Sequence, residues 1–385
     1  MAVLGRIALE RPLSDRRPGQ ASSIRRGVWL SLAMFAASRL VTFLVAVAIM
    51  AVSGRSLTDV LARWDGGWFL AVVDHGYPET VATGFGVQAQ TTIAFFPGYP
   101  LLIQAGSSVT GLSPAVTGVV ISTLAGGAAS AVLWLLAARV TDAKTADRTV
   151  ILFCFFPAAF VLSMVYAEAV FLVLVASCLL GLVLERWAVA GLTAAAAGLV
   201  RPNGLVLTLC CGWAAVQAIR RHRSWWPAIA PLLAPTGFLG FLGYLYLRTG
   251  DPLAYVHTQR RGWDQGFDFG VSNVRSALAI AGSRQFEFYI LVMVACLVGI
   301  GVALYLLVRW RLPAPLMIYV VGIVGIAFLS SNPTSLPRFL LAAFPVLIPI
   351  SHRLAGQAYP VVVAGSAACM ATLFWVTSLA TWLWP

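Results

Sequence analysis

Long apolar segments recur along this chain from residue 28 onward, and only short charged stretches separate them. The first segment, at about 28–52, is long enough to cross a bilayer, which takes roughly 20 apolar residues. Apolar residues make up 60% of the chain and charged residues 10%. Soluble domains carry about 25% charged residues. Because a helix satisfies its own backbone hydrogen bonds in lipid, the sequence predicts an all-α polytopic membrane protein.

The charged stretches predict about eleven spans, with lysine and arginine concentrated on the cytoplasmic side. Residues 1–27 form an arginine-rich cytoplasmic tail, and residues 28–385 form a single transmembrane domain. Two long external loops are expected, at about 54–113 and 248–286, and the first should carry short interfacial helices. Richness in Ala, Gly, Arg and Trp suggests a high-GC bacterium. The chain would then lie in the plasma (inner) membrane, with its external side facing the periplasm.

The net charge of +12 does not indicate a nucleic-acid partner, because the basic residues punctuate apolar spans and report orientation and contact with membrane lipids. The six cysteines lie inside apolar segments and form no Cys-x-x-Cys pair. They are expected to be small buried hydrophobes, with neither a disulfide framework nor a zinc site.

The most unusual stretch is 63–77, which follows the first span and crowds charged and aromatic side chains together. Asp65 lies between Trp64 and Trp68, and Asp74 and His75 follow. Such a cluster beside a span is either an aromatic anchor at the membrane surface or an active site.

The other unusual polar residues fall on the same predicted side of the membrane. A transporter should instead concentrate polar groups near the midplane, in broken helices of two related repeats. One-sided chemistry therefore points to an enzyme acting at the outer leaflet. The residues assigned to the external side are Asp65, Asp74, His75, Glu168, Arg201, Asn203, His257, Arg260, Arg261, Asp264 and Arg338.

Several short motifs, in this order between about residues 39 and 344, resemble the GPI-anchor second-mannosyltransferase family (PIG-V type) and its bacterial relatives. They are Trp64-Asp65-Gly66-Gly67-Trp68-Phe69 with His75-Gly76-Tyr77; Phe95-Phe96-Pro97-Gly98-Tyr99-Pro100-Leu101-Leu102; Phe156-Pro157 with Ser163, Tyr166, Glu168 and Phe171; Gly191 with Arg201-Pro202-Asn203-Gly204; and Pro337-Arg338-Phe339.

The resemblance implies a GT-C-type transmembrane helix bundle with its active site on the external side. Enzymes of this type take a sugar, usually mannose in this family, from a polyprenyl-phosphate carrier. An aspartate early in the first external loop acts as base, and Asp65 matches that position. The resemblance also implies that no cofactor or metal is required. A divalent-metal site made of Asp65, Asp74 and His75 is the alternative.

Sugar transfer with inversion needs a base for the acceptor hydroxyl, and Asp65 is the candidate. The departing lipid phosphate needs a cation, and a guanidinium matches phosphate oxygens in a bidentate manner. Arg338 and Arg201 are the first candidates for this role, unless they merely reach toward lipid headgroups. Arg260, Arg261 and His257 are further candidates.

Contacts to the acceptor or the sugar are expected from aromatic and polar residues around Asp65. The set comprises Trp64, Trp68, Asp74, His75, Tyr99, Tyr166, Glu168 and Asn203. Arg39 lies within the first span, so we expect it to have a structural partner among polar groups of the bundle rather than a catalytic role.

The leading hypothesis is an inverting glycosyltransferase whose partners are a polyprenyl-phosphate-sugar donor and a glycolipid or glycan acceptor of the cell envelope. A transporter or flippase of a lipid-linked sugar is one alternative, and a non-catalytic envelope scaffold is another. Only the first requires Asp65 as a base, so an Asp65→Asn variant separates them.

Overall fold

The computed structural model describes residues 18–266, 312–329, 336–354 and 356–379, together with a few positions between 271 and 310. Within these ranges the chain is helical and contains no strand, which confirms the all-α prediction. The tail before residue 18, about half of the predicted loop at 248–286 and most of the predicted span near 288–308 lie outside the described residues.

The helices follow one another with short connections. They are α1 (Pro18–Ser53), α2 (Leu57–Leu61), α3 (Asp65–His75), α4 (Gly98–Thr110), α5 (Pro114–Val140), α6 (Ala143–Cys154), α7 (Glu168–Val183), α8 (Trp187–Val200), α9 (Val206–His222), α10 (Ile229–Leu233), α11 (Thr236–Thr249), α12 (Ala254–Trp263), α13 (Ala314–Leu329), α14 (Leu336–Ala342), α15 (Leu347–Arg353) and α16 (Ala358–Leu379).

Among the described residues, five helical segments are long and apolar enough to cross a membrane. They are Ala21–Ser53, Pro114–Val140, Pro202–His222, Trp226–Thr249 and Ala358–Leu379. Three shorter apolar helices accompany them, at Glu168–Val183, Trp187–Val200 and Ala314–Phe328. A multi-pass membrane protein is thereby confirmed, while the count of about eleven spans stays a prediction.

The first loop contains the short helices expected of it, namely α2, α3 and α4. α4 begins at Gly98, where an added Cβ would come within 2.9 Å of the Leu199 carbonyl oxygen, so glycine permits close packing on α8. Tyr99 anchors α4 on α5, because its hydroxyl lies 2.7 Å from the Ser122 hydroxyl and donates to the Gly118 carbonyl at 2.9 Å. The loop is therefore packed onto the bundle.

α7 lies at the centre of the bundle and contacts both α5 and α8. Nearly every side chain from Ala158 to Leu182 is buried, as expected for a helix that is apolar all round. Glu168 is the first residue of this helix. An acidic residue thus opens a largely buried helix.

The two ends of the bundle differ in their polar residues. α7 runs from Glu168 toward Glu185, and α8 returns from Trp187 to Arg201. Glu168 and Arg201 therefore share one end, and Glu185 lies at the other, where it pairs with Arg221 at 3.9 Å. The residues predicted to be external and cytoplasmic are thus separated along these helices.

Arg39 is buried within α1, and its charge is met by backbone carbonyls. Its Nη1 donates to the Ala159 carbonyl at 2.7 Å, and its guanidinium lies 4.7 Å from the centre of the Phe35 ring. The expectation of a structural partner in the bundle is confirmed.

Candidate active site

The backbone at Arg63–Gly66 turns sharply to place Asp65 at the start of α3. Trp64 has φ 63°, a left-handed conformation that is unusual for a bulky residue. Gly66 is buried, and an added Cβ would lie 3.3 Å from the Val165 carbonyl oxygen, so this turn lies directly on the segment before α7. A carboxylate in the first turn of a helix is favoured by the positive end of the helix dipole.

The last helix holds this turn from the opposite side. The indole Nε1 of Trp64 donates to the Thr377 carbonyl at 3.3 Å. Arg55 Nη1 donates to the Ser378 carbonyl at 2.9 Å. The end of α16 thus fixes the entry to α3 through two long-range hydrogen bonds.

Four charged residues from distant parts of the chain form one ionic cluster, which comprises Asp65, Glu168, Arg201 and Arg338. Arg338 Nη1 donates to Asp65 Oδ2 at 2.5 Å and lies 3.3 Å from Glu168 Oε1. Arg201 Nη1 pairs with the same oxygen of Glu168. The contacts therefore run in a chain from Asp65 through Arg338 and Glu168 to Arg201.

Burial differs within the ionic cluster. The side chains of Glu168 and Arg338 are 5% and 9% exposed, whereas those of Asp65 and Arg201 are 18% and 21% exposed. Buried charges are tolerated when they are paired and hydrogen-bonded, as they are here. The two outer members of the cluster are the ones within reach of a substrate.

Arg201 is positioned by a tight turn between α8 and α9. Gly204 lies against α8, where an added Cβ would come within 2.5 Å of the Gly198 nitrogen. Asn203, in the same turn, is buried. The Arg201-Pro202-Asn203-Gly204 motif thus presents one basic and one amide side chain from a turn that depends on a glycine.

A pocket adjoins the ionic cluster and is lined by both polar and apolar residues. Glu168 lines it, and the Oε2 atom of this residue has no hydrogen-bond partner among the described residues. A buried polar atom of this kind is a ready acceptor for a ligand hydroxyl or a water molecule. The polar lining residues are Glu168, Arg201, Asn203 and Arg338, and the apolar ones are Phe171, Leu172, Phe339 and Ala342.

An aromatic cluster, made of Trp68, Phe95 and Trp263, lies beside Asp65. Trp68 stacks on Phe95 with ring centres 5.7 Å apart and meets the edge of Trp263 at 5.5 Å. Trp68 is three residues after Asp65, so the two share a face of α3. Trp263 was not among the predicted site residues. The signal that could have identified it is its position in a polar helix, Ala254–Trp263, of the predicted second external loop.

The three residues of α12 that were expected to bind phosphate make other contacts or are exposed. Arg261 Nη1 donates to the Ala82 carbonyl at 2.9 Å. His257 Nδ1 lies 2.7 Å from Asp251 Oδ2, and this hydrogen bond holds the pKa of Asp251 below its usual range. Arg260 is exposed on the same helix. The structure therefore places His257, Arg260 and Arg261 outside the ionic cluster.

The remaining predicted residues are divided between the cluster and other places. Tyr166 lies beneath Arg338, whose guanidinium is 5.5 Å from the centre of its ring. Tyr99 is fully buried, with its hydroxyl bonded within the core. Asp74 and His75 are exposed at the far end of α3, about 13 Å from Asp65 along the helix axis at 1.5 Å per residue.

The spacing along α3 separates the three residues considered for a metal site. Asp65 lies at one end of the helix, and Asp74 and His75 lie at the other. Across the described ranges, no three His, Cys, Asp or Glu side chains gather in a way that could hold a metal ion. The ionic cluster instead combines two carboxylates with two guanidinium groups, an arrangement suited to an anionic ligand.

Comparison with known proteins agrees with these features. The family model described as mannosyltransferase (PIG-V) matches residues 31–222, a range that includes Asp65, Glu168 and Arg201. GPI alpha-1,6-mannosyltransferase 2 of Rattus norvegicus is 32% identical over 164 residues, which are 40% of this chain and 31% of that enzyme. The chain thus spans under a third of the length of this relative.

The fold resembles that of a solved membrane protein. The crystal structure of ArnT from Cupriavidus metallidurans, bound to undecaprenyl phosphate, aligns with a TM-score of 0.52 and 17% identity. The alignment covers 85% of this chain and 62% of the ArnT chain. The chain is therefore a relative of the PIG-V mannosyltransferases and has the GT-C type of helical membrane fold.

Proposed function

We propose that this protein is an integral membrane glycosyltransferase that transfers a sugar, mannose in the first instance, from a polyprenyl-phosphate carrier to a glycolipid or glycan of the cell envelope. The observation that carries this proposal is the ionic cluster beside a pocket at one end of the helix bundle. The undecaprenyl phosphate bound to ArnT supports a polyprenyl-phosphate donor.

Asp65 is the general base in this mechanism. It removes the proton of the acceptor hydroxyl as the oxygen attacks the anomeric carbon from the face opposite the phosphate. The bond from that carbon to the phosphate oxygen breaks, and the lipid phosphate leaves with the bonding electrons. The configuration of the sugar is thereby inverted. The partial exposure of Asp65 supports access by an acceptor.

The ionic cluster stabilises the phosphate. The formal charges of the ionic cluster cancel before the donor binds, because it contains two carboxylates and two guanidinium groups. The leaving phosphate gains a negative charge in the reaction, and cations already in place stabilise that charge as it develops. Asn203 beside Arg201 adds an amide donor.

The apolar residues of the pocket suit a phosphate that is attached to a lipid. Phe171, Leu172 and Phe339 offer apolar surface next to Arg201. We place this end of the bundle at the external face. The opposite end carries Arg221 and the start of α1, in agreement with the positive-inside rule.

The experiment that tests the proposal follows radiolabelled sugar from polyprenyl-phosphate-mannose into crude envelope lipids. The purified protein in nanodiscs is compared with Asp65→Asn and with Asp74→Asn, an exposed carboxylate on the same helix. We expect a labelled product from the wild type and Asp74→Asn but none from Asp65→Asn.

Other outcomes would redirect the assignment. Equal transfer by all three proteins would remove Asp65 from the role of base. Donor binding by the wild type without transfer to any envelope lipid would favour the transporter or the scaffold. Loss of transfer with a chelator would restore a metal-dependent mechanism.

A further inference from the structure

The two arginines of the ionic cluster occupy different positions. Arg338 contacts both carboxylates and is nearly inaccessible, with 9% of its side chain exposed. Arg201 contacts only Glu168 among the carboxylates and is 21% exposed. A single role as phosphate ligand therefore does not describe both residues.

We propose that Arg338 is a positioning residue that holds Asp65 in place, that Glu168 fixes Arg338 in that position, and that Arg201 is the arginine that binds the donor phosphate. This inference rests on the function proposed above. It divides between two arginines the roles that the sequence assigned to them jointly.

The burial of Arg338 opposes its movement toward a ligand. Its guanidinium lies over the ring of Tyr166 and uses Nη1 for both Asp65 and Glu168. If Arg338 turned to a phosphate, Asp65 would lose its ion pair with Arg338, and Glu168 would be left with its pair to Arg201. Such a rearrangement strands buried charge, which is strongly unfavourable.

The contact with Arg338 also fixes the carboxylate of Asp65. Arg338 Nη1 donates to Oδ2, so one carboxylate oxygen is held by a buried arginine that also contacts Glu168. Asp65 is thereby oriented before an acceptor binds.

Arg201 is placed where a ligand phosphate can reach it. It lies at the end of α8 with Asn203 two residues further on, and both line the pocket. Glu168 pairs with Arg201 through the same oxygen that faces Arg338. A phosphate that arrives at Arg201 can replace the contact with Glu168 while Arg338 continues to balance that carboxylate.

The test compares matched substitutions at the two arginines, Arg338→Gln and Arg338→Lys against Arg201→Gln and Arg201→Lys. The kcat for sugar transfer and the KM for polyprenyl-phosphate-mannose are measured for each variant and for the wild type. A residue that positions Asp65 should act on kcat, whereas a residue that binds the donor phosphate should act on the donor KM.

Substitutions at Arg338 should change kcat, and substitutions at Arg201 should change the donor KM. We expect Arg338→Gln to lower kcat about tenfold or more with the donor KM changed less than about threefold. We expect Arg201→Gln to raise the donor KM about tenfold or more. Arg338→Lys should restore most of the lost kcat, because it restores the positive charge beside Asp65.

The reverse pattern would overturn the proposal. A large rise in donor KM for Arg338→Gln, with kcat unchanged, would assign the phosphate to Arg338. If Arg338→Gln does not fold, direct donor binding to Arg338→Lys and Arg201→Lys decides, and weaker binding by Arg338→Lys alone would refute the assignment. Absence of transfer by the wild type would reject the proposed function itself, whereas transfer by Asp65→Asn would remove only Asp65 from the role of base.

Discussion

Arg338 Nη1 donates to Asp65 Oδ2 over 2.5 Å, although 273 residues separate the two in the chain. The contact joins α3, in the first loop, to the short helix α14. It means that the candidate base is not an isolated carboxylate in a loop. Its geometry and charge depend on residues that belong to other parts of the bundle.

Glu168→Ala should destabilise the protein strongly. The substitution removes the carboxylate shared by Arg201 and Arg338 and leaves Arg338 buried with less compensation. Removing one partner of a buried ion pair costs about 3–5 kcal/mol. We expect a lower midpoint of thermal unfolding in detergent, measured by tryptophan fluorescence.

The control is Glu185→Ala, which removes an exposed carboxylate 3.9 Å from Arg221. A surface pair of this kind contributes less than about 1 kcal/mol. Equal shifts for Glu168→Ala and Glu185→Ala would show that the ionic cluster contributes no more to stability than a surface pair.

Gly204→Ala should disturb the turn that presents Arg201. The added methyl would come within 2.5 Å of the Gly198 nitrogen, a backbone atom that cannot rotate away. Forcing extra atoms into packed structure costs roughly 1–3 kcal/mol. We expect a lower thermal midpoint together with a higher donor KM, because Arg201 shifts with the turn.

Gly212→Ala is the matched control within α9. An added Cβ there meets no atom within 4 Å. Alanine is more favourable than glycine in a helix interior by about 1 kcal/mol, so this variant should be unchanged or slightly more stable. If Gly204→Ala behaved like Gly212→Ala, the turn would not depend on that close approach.

Arg39→Met should lower stability without changing the kinetics of the folded protein. It removes the donor to the Ala159 carbonyl and leaves that acceptor unsatisfied in the core. Leaving a buried partner unsatisfied costs about 1–3 kcal/mol. We expect a lower thermal midpoint but an unchanged donor KM.

Leu40→Ala controls for the loss of side-chain bulk on α1, because Leu40 is 62% exposed on the outer surface of the bundle. It should leave the midpoint nearly unchanged. A raised donor KM for Arg39→Met at full stability would instead place Arg39 in the reaction.

The membrane orientation predicts opposite labelling at the two ends of the bundle. Asp74 and Ser224 are both exposed, Asp74 on the side of the ionic cluster and Ser224 just after α9 on the other. In a Cys369→Ser background, which removes an exposed native thiol, Asp74→Cys should react with a membrane-impermeant maleimide in intact spheroplasts.

Ser224→Cys should react only after the membrane is permeabilised. The physical reason is the cluster of basic residues at the end of α9, which favours the cytoplasmic side. Labelling of Ser224→Cys alone in intact spheroplasts would reverse the orientation and place the ionic cluster on the cytoplasmic face.

The sequence singled out the four residues of the ionic cluster but did not predict the contacts between them. Asp65, Glu168, Arg201 and Arg338 each stood out as charged residues beside apolar segments, where charge is costly. The linear order of their contacts could not be predicted, because it depends on which ends of α7, α8 and α14 coincide. Tyr99 stood out equally, yet its hydroxyl is bonded in the core.

Residues without a sequence signal entered the site only through packing. Phe171 and Phe339 line the pocket, and Trp263 completes the aromatic cluster. In a chain with so many apolar residues, no pattern distinguishes these aromatics from those that merely fill the core. Asp74 and His75 were predicted to lie in the site because they are near Asp65 in the sequence. They lie at the opposite end of α3 from Asp65, because the segment that joins them is a helix.

The sequence by itself determined that this chain is an all-helical membrane protein, because apolar segments with so few charges have no other stable state in lipid. It also determined which charged residues needed partners, since burial makes an unpaired charge costly. Only the tertiary structure decided which partners they received. Asp65 meets Arg338, and Arg338 meets Glu168, because the packing of the helices brings together ends that are far apart along the chain.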